Sequence, residues 1–136
     1  MVSDEVAVPP RRQTEFYIPA RFHRWFPDRR NIPCSFEESL KRLQLDSVDV
    51  LHLHDPDNHP DHIGEAKKGA IKAMIKLKEE KAVRALGCGL NQNEMLVDLS
   101  KEGCFDCFLL AGRYTLLDQT SLDELIPYCK INNISL

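Results

Sequence analysis

Along most of this chain the spacing of apolar residues switches between a helical period and compact strand-length runs, and that switching limits the fold more than any other feature. Ser35 and Glu38 have the capping-box spacing, and Phe36, Leu40 and Leu43 follow at i, i+4 and i+7, which predicts a helix over 36–44. Val48 to His54 is an apolar run consistent with a strand buried on both faces. Asp55 to Pro60 reads as a loop by composition. Ala66, Ala70, Ala73, Met74 and Leu77 form the apolar stripe of a helix over 65–78, with lysines on its other side. Val83 to Cys88 is the next strand, ended by Gly89. Asn93 can cap a helix running to about 102, with Leu96 and Leu99 inward and Gly103 as its stop. Phe105 to Ala111 is a third strand. Ser121 and Glu124 repeat the capping-box spacing before a helix that buries Leu122, Leu125, Ile126 and Cys129, and Asn133 to Leu136 opens a fourth strand.

Helix and strand in strict turn specify βαβ units, a parallel sheet and the α/β class. Such units fit either an open doubly wound sheet or an arc of a closed barrel. No G-x-G-x-x-G follows the first strand, which counts against the dinucleotide-binding form of the open sheet.

Residues 1–33 differ. They hold five of the eight prolines, six arginines and scattered aromatics, with no sustained period, and are expected to form an irregular leader ahead of the α/β region 34–136. Arg11, Arg12, Arg21, Arg24, Arg29 and Arg30 interleave with Phe16, Tyr17, Phe22, Trp25 and Phe26, the composition that single-strand binding uses. Glu15 and Asp28 dilute it and the net charge is −3, so no nucleic-acid partner is expected. No apolar run reaches the ~18 residues of a membrane span, and Asp4 and Glu5 make a poor signal or transit peptide. The odd count of five cysteines points to reduced thiols and a cytoplasmic setting. Cys104 and Cys107 spell C-x-x-C, but strand alternation would send them to opposite faces, so no redox pair is expected. His52, Asp55, Asp57, His59, Asp61 and His62 crowd around His54 without a recognised ligand spacing, and read as a polar loop and not as a metal site.

Three stretches carry a resemblance. Residues 38–57 contain S-L-K-R-L, then D-S-V-D, then H-D-P. Residues 77–92 end in G-C-G-L-N-Q, and residues 105–119 contain A-G-R-Y-T-L-L-D-Q. In this order they resemble the aldo-keto reductase family, and within it the aldose 1-dehydrogenase and L-galactose dehydrogenase-like branch, over residues 35–136. The resemblance implies a (β/α)8 (TIM) barrel and an NAD(P)-dependent oxidoreductase that moves a hydride between nicotinamide and a sugar or aldehyde carbonyl. In such barrels the catalytic groups stand at the C-terminal ends of the strands. His54 matches the family's active-site histidine, which would polarise the substrate oxygen; on spacing alone it reads rather as a hydrogen-bonded strand-end residue. Asn91 matches the residue that contacts the nicotinamide carboxamide, or else it caps a helix. Arg113 and Tyr114 would line the substrate pocket, or be a surface arginine and a packed tyrosine.

The resemblance is partial. The family's tyrosine, lysine and aspartate precede the histidine-bearing strand, yet no lysine precedes Lys41 here and Tyr17 is the one upstream tyrosine. A full barrel needs about 250 residues. The expectation is a partial barrel, truncated at both ends, with marginal stability and self-association through uncovered edges. The alternative function is a non-catalytic fragment or pseudoenzyme acting as a binding protein. Glu80 also stands where the resemblance leads one to expect a helix-ending glycine, which predicts a strained cap there.

Overall fold

Two strands in the middle of the chain bury most of their residues, and the rest of the fold is arranged around them. They are β2 (Val48–His54) and β3 (Val83–Leu90), paired in parallel with Leu51 beside Leu86, Leu53 beside Cys88 and His54 beside Gly89. The computed structural model describes residues 15–19, 31–56, 64 and 66–136.

The sheet has four strands in the order of the sequence: β1 (Glu15–Pro19), β2, β3 and β4 (Cys107–Leu110), all parallel. Ser135 bridges Cys107 in parallel, so the C-terminal residues begin a further strand beyond β4, as expected. Each strand lies beside its sequence predecessor and the order never reverses. A doubly wound sheet reverses at its switch point, whereas a barrel adds strands in one direction. The sheet is therefore an arc of a barrel wall.

Among the described residues the α-helices with full bounds are α1 (Asn31–Leu43), α2 (Ile71–Glu79), α3 (Asn93–Ser100) and α4 (Leu125–Ile131). They cover one face of the sheet. Leu51, Leu53, Leu86, Cys88, Leu90 and Phe108 from the strands share a core with Phe36, Ile71, Met74, Leu77, Leu96, Leu99 and Leu125 from the helices. The opposite face carries His52, His54, Gly87, Gly89, Cys107 and Leu109, set in rows across the strands.

Each helix ends on a left-handed residue: Gln44 after α1, Lys81 after α2, Gly103 after α3 and Asn133 after α4. After α1, α2 and α4 the next amide reaches back to a carbonyl five residues earlier, Leu45 to Leu40, Ala82 to Leu77 and Ile134 to Cys129, at 2.9–3.1 Å. This turn satisfies the last helical carbonyls and redirects the chain into the following strand. The strain expected at Glu80 is absent, since Glu80 is still helical at φ −73, and the left-handed position falls on Lys81 at φ 61.

Several element starts differ from expectation. α1 begins at Asn31, inside the stretch expected to be irregular, because Pro33 sits in the first turn where a missing amide is harmless. Ser35 thus lies within the helix, where its carbonyl accepts a 2.8 Å hydrogen bond from Ser39 Oγ, and Ile32, Phe36 and Ser39 form the buried stripe while Leu43 is exposed. β1 also lies in that stretch, formed by pairing with β2. The helix expected from 65 opens as a π-helical turn, Ala66–Ala70, and tightens to α at Ile71. Asn93 is the first residue of α3, not its cap; Gln92 holds the cap position and its side chain does not cap the helix. Before α4 the chain makes a short 3₁₀ turn, Thr120–Leu122, and Ser121 Oγ donates to the Arg113 carbonyl at 3.3 Å instead of capping the helix, which leaves Leu122 exposed. The arginine-rich residues 11–12, 21–30 and the loop residues 57–62 lie outside the described residues.

Candidate functional site

At the C-terminal end of β2 the chain turns sharply. Asp55 takes a left-handed conformation, φ 46, and its amide donates to the Gly89 carbonyl at 2.8 Å, which pins the end of β2 to β3. This presents the His54 side chain, 43% exposed, at the rim of the sheet, with the Asp55 carboxylate 3.6 Å from its Nδ1. At that distance the contact is electrostatic and longer than a hydrogen bond. Gly89 is the neighbour across the strand. A Cβ there would sit 3.7 Å from His54 Cδ2 and from Leu109 Cβ, so the floor beside the imidazole is bare but not crowded.

The row beneath is tighter. His52 and Gly87 are paired across the strands, as are Gly87 and Cys107. A Cβ on Gly87 would lie 2.4 Å from His52 Nδ1 and 3.0 Å from Cys107 Sγ, so the imidazole approaches the backbone as closely as only glycine allows. His52 is 3% exposed, while Cys107 is half-buried with its thiol 3.9 Å from the Leu86 carbonyl. The sequence points to His52 only within a polar loop and to Cys107 only within a C-x-x-C, and to neither glycine; the signal for the row is H-x-H on one strand followed by G-x-G on the next.

The other sequence-selected residues gather at the same rim. Asn91 follows β3, is exposed, and caps no helix. Its carbonyl accepts a 3.0 Å hydrogen bond from Arg113 Nε, and Arg113 Nη1 lies 3.5 Å from Asp118 Oδ2. Arg113 thus spends its guanidinium on tying the loop after β4 to the end of β3. The loop is braced further: Thr115 Oγ1 accepts from the amides of Leu117 and Asp118, Asp118 Oδ1 accepts from Thr120, and Thr120 Oγ1 accepts from Asn93 Nδ2 at 3.0 Å. The Thr120 hydrogen bonds, with Arg113, hold the Asp118 carboxyl below its ordinary range. On this frame Tyr114, Leu116 and Leu117 stand out, exposed by 58%, 96% and 100%. His54, Asn91 and Tyr114 therefore stand at the C-terminal ends of three adjacent strands, in the order β2, β3, β4, with Arg113 as the brace between the last two.

Among the described residues there is no group of three His, Cys, Asp or Glu side chains able to hold a metal ion, and no helix long and apolar enough to cross a membrane. Cys104 sits at the opposite, N-terminal end of the sheet beside a cavity of about 440 Å³ lined by Lys78, Glu102 and Asp106, and burial, then Glu102, push its thiol up to about 11.

A family model described as the aldo/keto reductase family matches residues 27–136. D-threo-aldose 1-dehydrogenase from Pseudomonas sp is 36% identical over 119 residues, covering 87% of this chain and 36% of its own length. L-galactose dehydrogenase from Arabidopsis thaliana is 36% identical over 103 residues, covering 74% and 31%. The chain thus spans about a third of the length of these curated relatives. An aldo-keto reductase from Bacillus halodurans in its holo form superposes with a TM-score of 0.70 at 23% identity, over 93% of this chain and 41% of that one. One from Klebsiella pneumoniae, in complex with NADP and acetate, gives 0.66 at 22% identity, over 90% and 40%. At these identities the structural likeness speaks for the barrel fold.

Proposed function

This chain belongs to the aldo/keto reductase family, and from that membership we propose that it supplies the histidine-bearing part of an NAD(P)-dependent oxidoreductase acting on a sugar or aldehyde carbonyl in the cytoplasm. The observation that carries the proposal is the alignment of His54, Asn91 and Tyr114 at the ends of neighbouring parallel strands, beside the glycine floor of β3.

The described residues fit the nicotinamide end of the cofactor. Asn91 offers an exposed side-chain amide and Gly89 leaves room next to His54, while the exposed ring of Tyr114 stands on the adjoining substrate side. Among the described residues no glycine-rich turn is present to hold the pyrophosphate. When bound, the cofactor supplies or accepts the hydride. His54 donates a hydrogen bond to the carbonyl oxygen and favours charge building there, the role for which a neutral imidazole is suited. Arg113 does not touch the carbonyl in this reading; it sets the position of Tyr114 through Asn91 and Asp118.

The inner face of the sheet, which includes Leu109 at 41% exposure, supports association with a second copy as part of the same proposal. A fluorescence titration of the full chain with NADPH and with NADH tests the cofactor reading. Saturable binding of either is expected, and no binding by folded protein would leave a non-catalytic binding protein as the better description.

A further inference from the structure

The corner between β3 and α3 is held by a neighbouring loop. Gln92 lies between two residues that the loop after β4 grips. The Asn91 carbonyl accepts a 3.0 Å hydrogen bond from Arg113 Nε, and Asn93 Nδ2 donates to Thr120 Oγ1 at 3.0 Å. Both arms run back to one carboxylate. Asp118 Oδ2 lies 3.5 Å from Arg113 Nη1, while Asp118 Oδ1 accepts from the Thr120 hydroxyl at 2.7 Å and from the Thr120 amide at 3.1 Å. A closed turn fixes Asp118 in its own place: the Thr115 amide donates to the Asp118 carbonyl at 2.8 Å, and Thr115 Oγ1 accepts from the Asp118 amide at 3.0 Å. The Asn91 side chain is exposed, so what aims it is the peptide it springs from, and Arg113 ties that peptide to Asp118.

We propose that Asp118 is a positioning residue, which through Arg113 and Thr120 fixes the direction in which Asn91 presents its side-chain amide to the carboxamide of the nicotinamide. This rests on the cofactor reading of the site. Asp118 acts through Asn91 and not by contact. A guanidinium anchored to the Asn91 carbonyl at Nε alone could still swing; pairing its Nη1 with a carboxylate leaves a planar group one orientation. Arg113 and Asp118 are 52% and 28% exposed, so their pairing adds little to stability and its effect falls on aim.

The test compares two cofactors on the folded full chain by fluorescence titration. One is NADPH and the other its reduced acetylpyridine analogue, in which a methyl ketone replaces the carboxamide and removes the NH2 that Asn91 Oδ1 would accept from. Wild type should bind NADPH about threefold to tenfold more tightly than the analogue, the worth of one hydrogen bond. Asp118→Asn keeps the shape and removes the charge that holds Arg113. It should lower the affinity for NADPH more than that for the analogue, so that the preference falls below about twofold. Arg113→Lys, which cannot bond at Nε and Nη1 together, should do the same, with far-UV circular dichroism as the check on folding. A role confined to holding the loop together would weaken both cofactors alike and leave the preference unchanged. A wild-type preference that folded Asp118→Asn retains would therefore overturn the proposal while leaving the cofactor reading in place. Wild type that binds both equally removes the Asn91 contact, and wild type that binds neither removes the cofactor reading; either result takes the proposal with it.

Discussion

Replacing Gly87 by alanine should destabilise the chain although it adds only one methyl group. Built on the existing backbone, the new Cβ lies 2.4 Å from His52 Nδ1, 2.5 Å from His52 Cε1 and 3.0 Å from Cys107 Sγ. Carbon and nitrogen in contact need about 3.5 Å, so the imidazole would have to move by roughly an ångström, and at 3% exposure it has little free space in which to do so. Overpacking of this kind costs about 1–3 kcal/mol, and the lower entropy of the unfolded alanine chain offsets about 0.4–1 kcal/mol of it. A net loss of about 1–2 kcal/mol is expected from urea unfolding followed by circular dichroism, as a lower midpoint at unchanged slope. Gly89→Ala is the control, because its Cβ meets nothing closer than 3.7 Å and should be neutral or slightly stabilising. Adding His52→Ala to Gly87→Ala should recover part of the loss, since the two sites are in contact and couple. Equal midpoints for Gly87→Ala and wild type, or equal losses for the two glycine variants, would refute the close approach on which the reasoning stands.

Two other expectations follow from the geometry. Lys67 Nζ lies 2.8 Å from Asp98 Oδ2, joining the π-helical turn to α3; this hydrogen bond lowers the Asp98 pKa and raises that of Lys67. The pair's contribution is present between the ordinary carboxylate and amine values, lost as pH falls below about 4 through the lowered Asp98 value and lost again above about 10.4 through the raised Lys67 value. Because Asp98 is half-exposed, Asp98→Asn should cost only about 0.5 kcal/mol at neutral pH, and the difference should shrink in high salt and vanish in acid; a salt-insensitive loss would contradict this. Tyr114→Ala should raise the KM for the aldehyde by about twofold to tenfold, the worth of one aromatic face, and an unchanged KM would remove Tyr114 from the substrate pocket.

The strands were legible in the sequence because their cause is local. β2 runs from Val48 to His54 as the apolar run indicates, and its two-sided burial follows from parallel pairing. β3 extends two residues beyond expectation, through Gly89 and Leu90, because glycine carries no strand signal of its own and pairing with β2 and β4 makes these residues strand. Helix starts were the least legible. The capping-box spacings at Ser35 and Ser121 are real patterns whose hydroxyl or carbonyl groups are engaged elsewhere, with Ser39 and Arg113. β1 left no periodic trace, since its five residues are strand by virtue of pairing with β2. At the site, His54 and Tyr114 could be placed at strand ends from the βαβ order alone. The His52–Gly87–Cys107 row could not, because strand register brings together residues 35 and 20 positions apart, and nothing local encodes it.

The most direct test of the central claim is an absorbance assay of NAD(P)H on the purified full chain, with an aldose and NAD(P)+ in one direction and a reactive aldehyde with NAD(P)H in the other. Slow turnover is expected, falling by about 10²-fold or more in His54→Ala, the scale of losing one donor to a developing oxyanion, with the circular dichroism spectrum unchanged. Turnover that survives His54→Ala, or none at all from protein shown to be folded, would contradict the assignment of the carbonyl site to the end of β2.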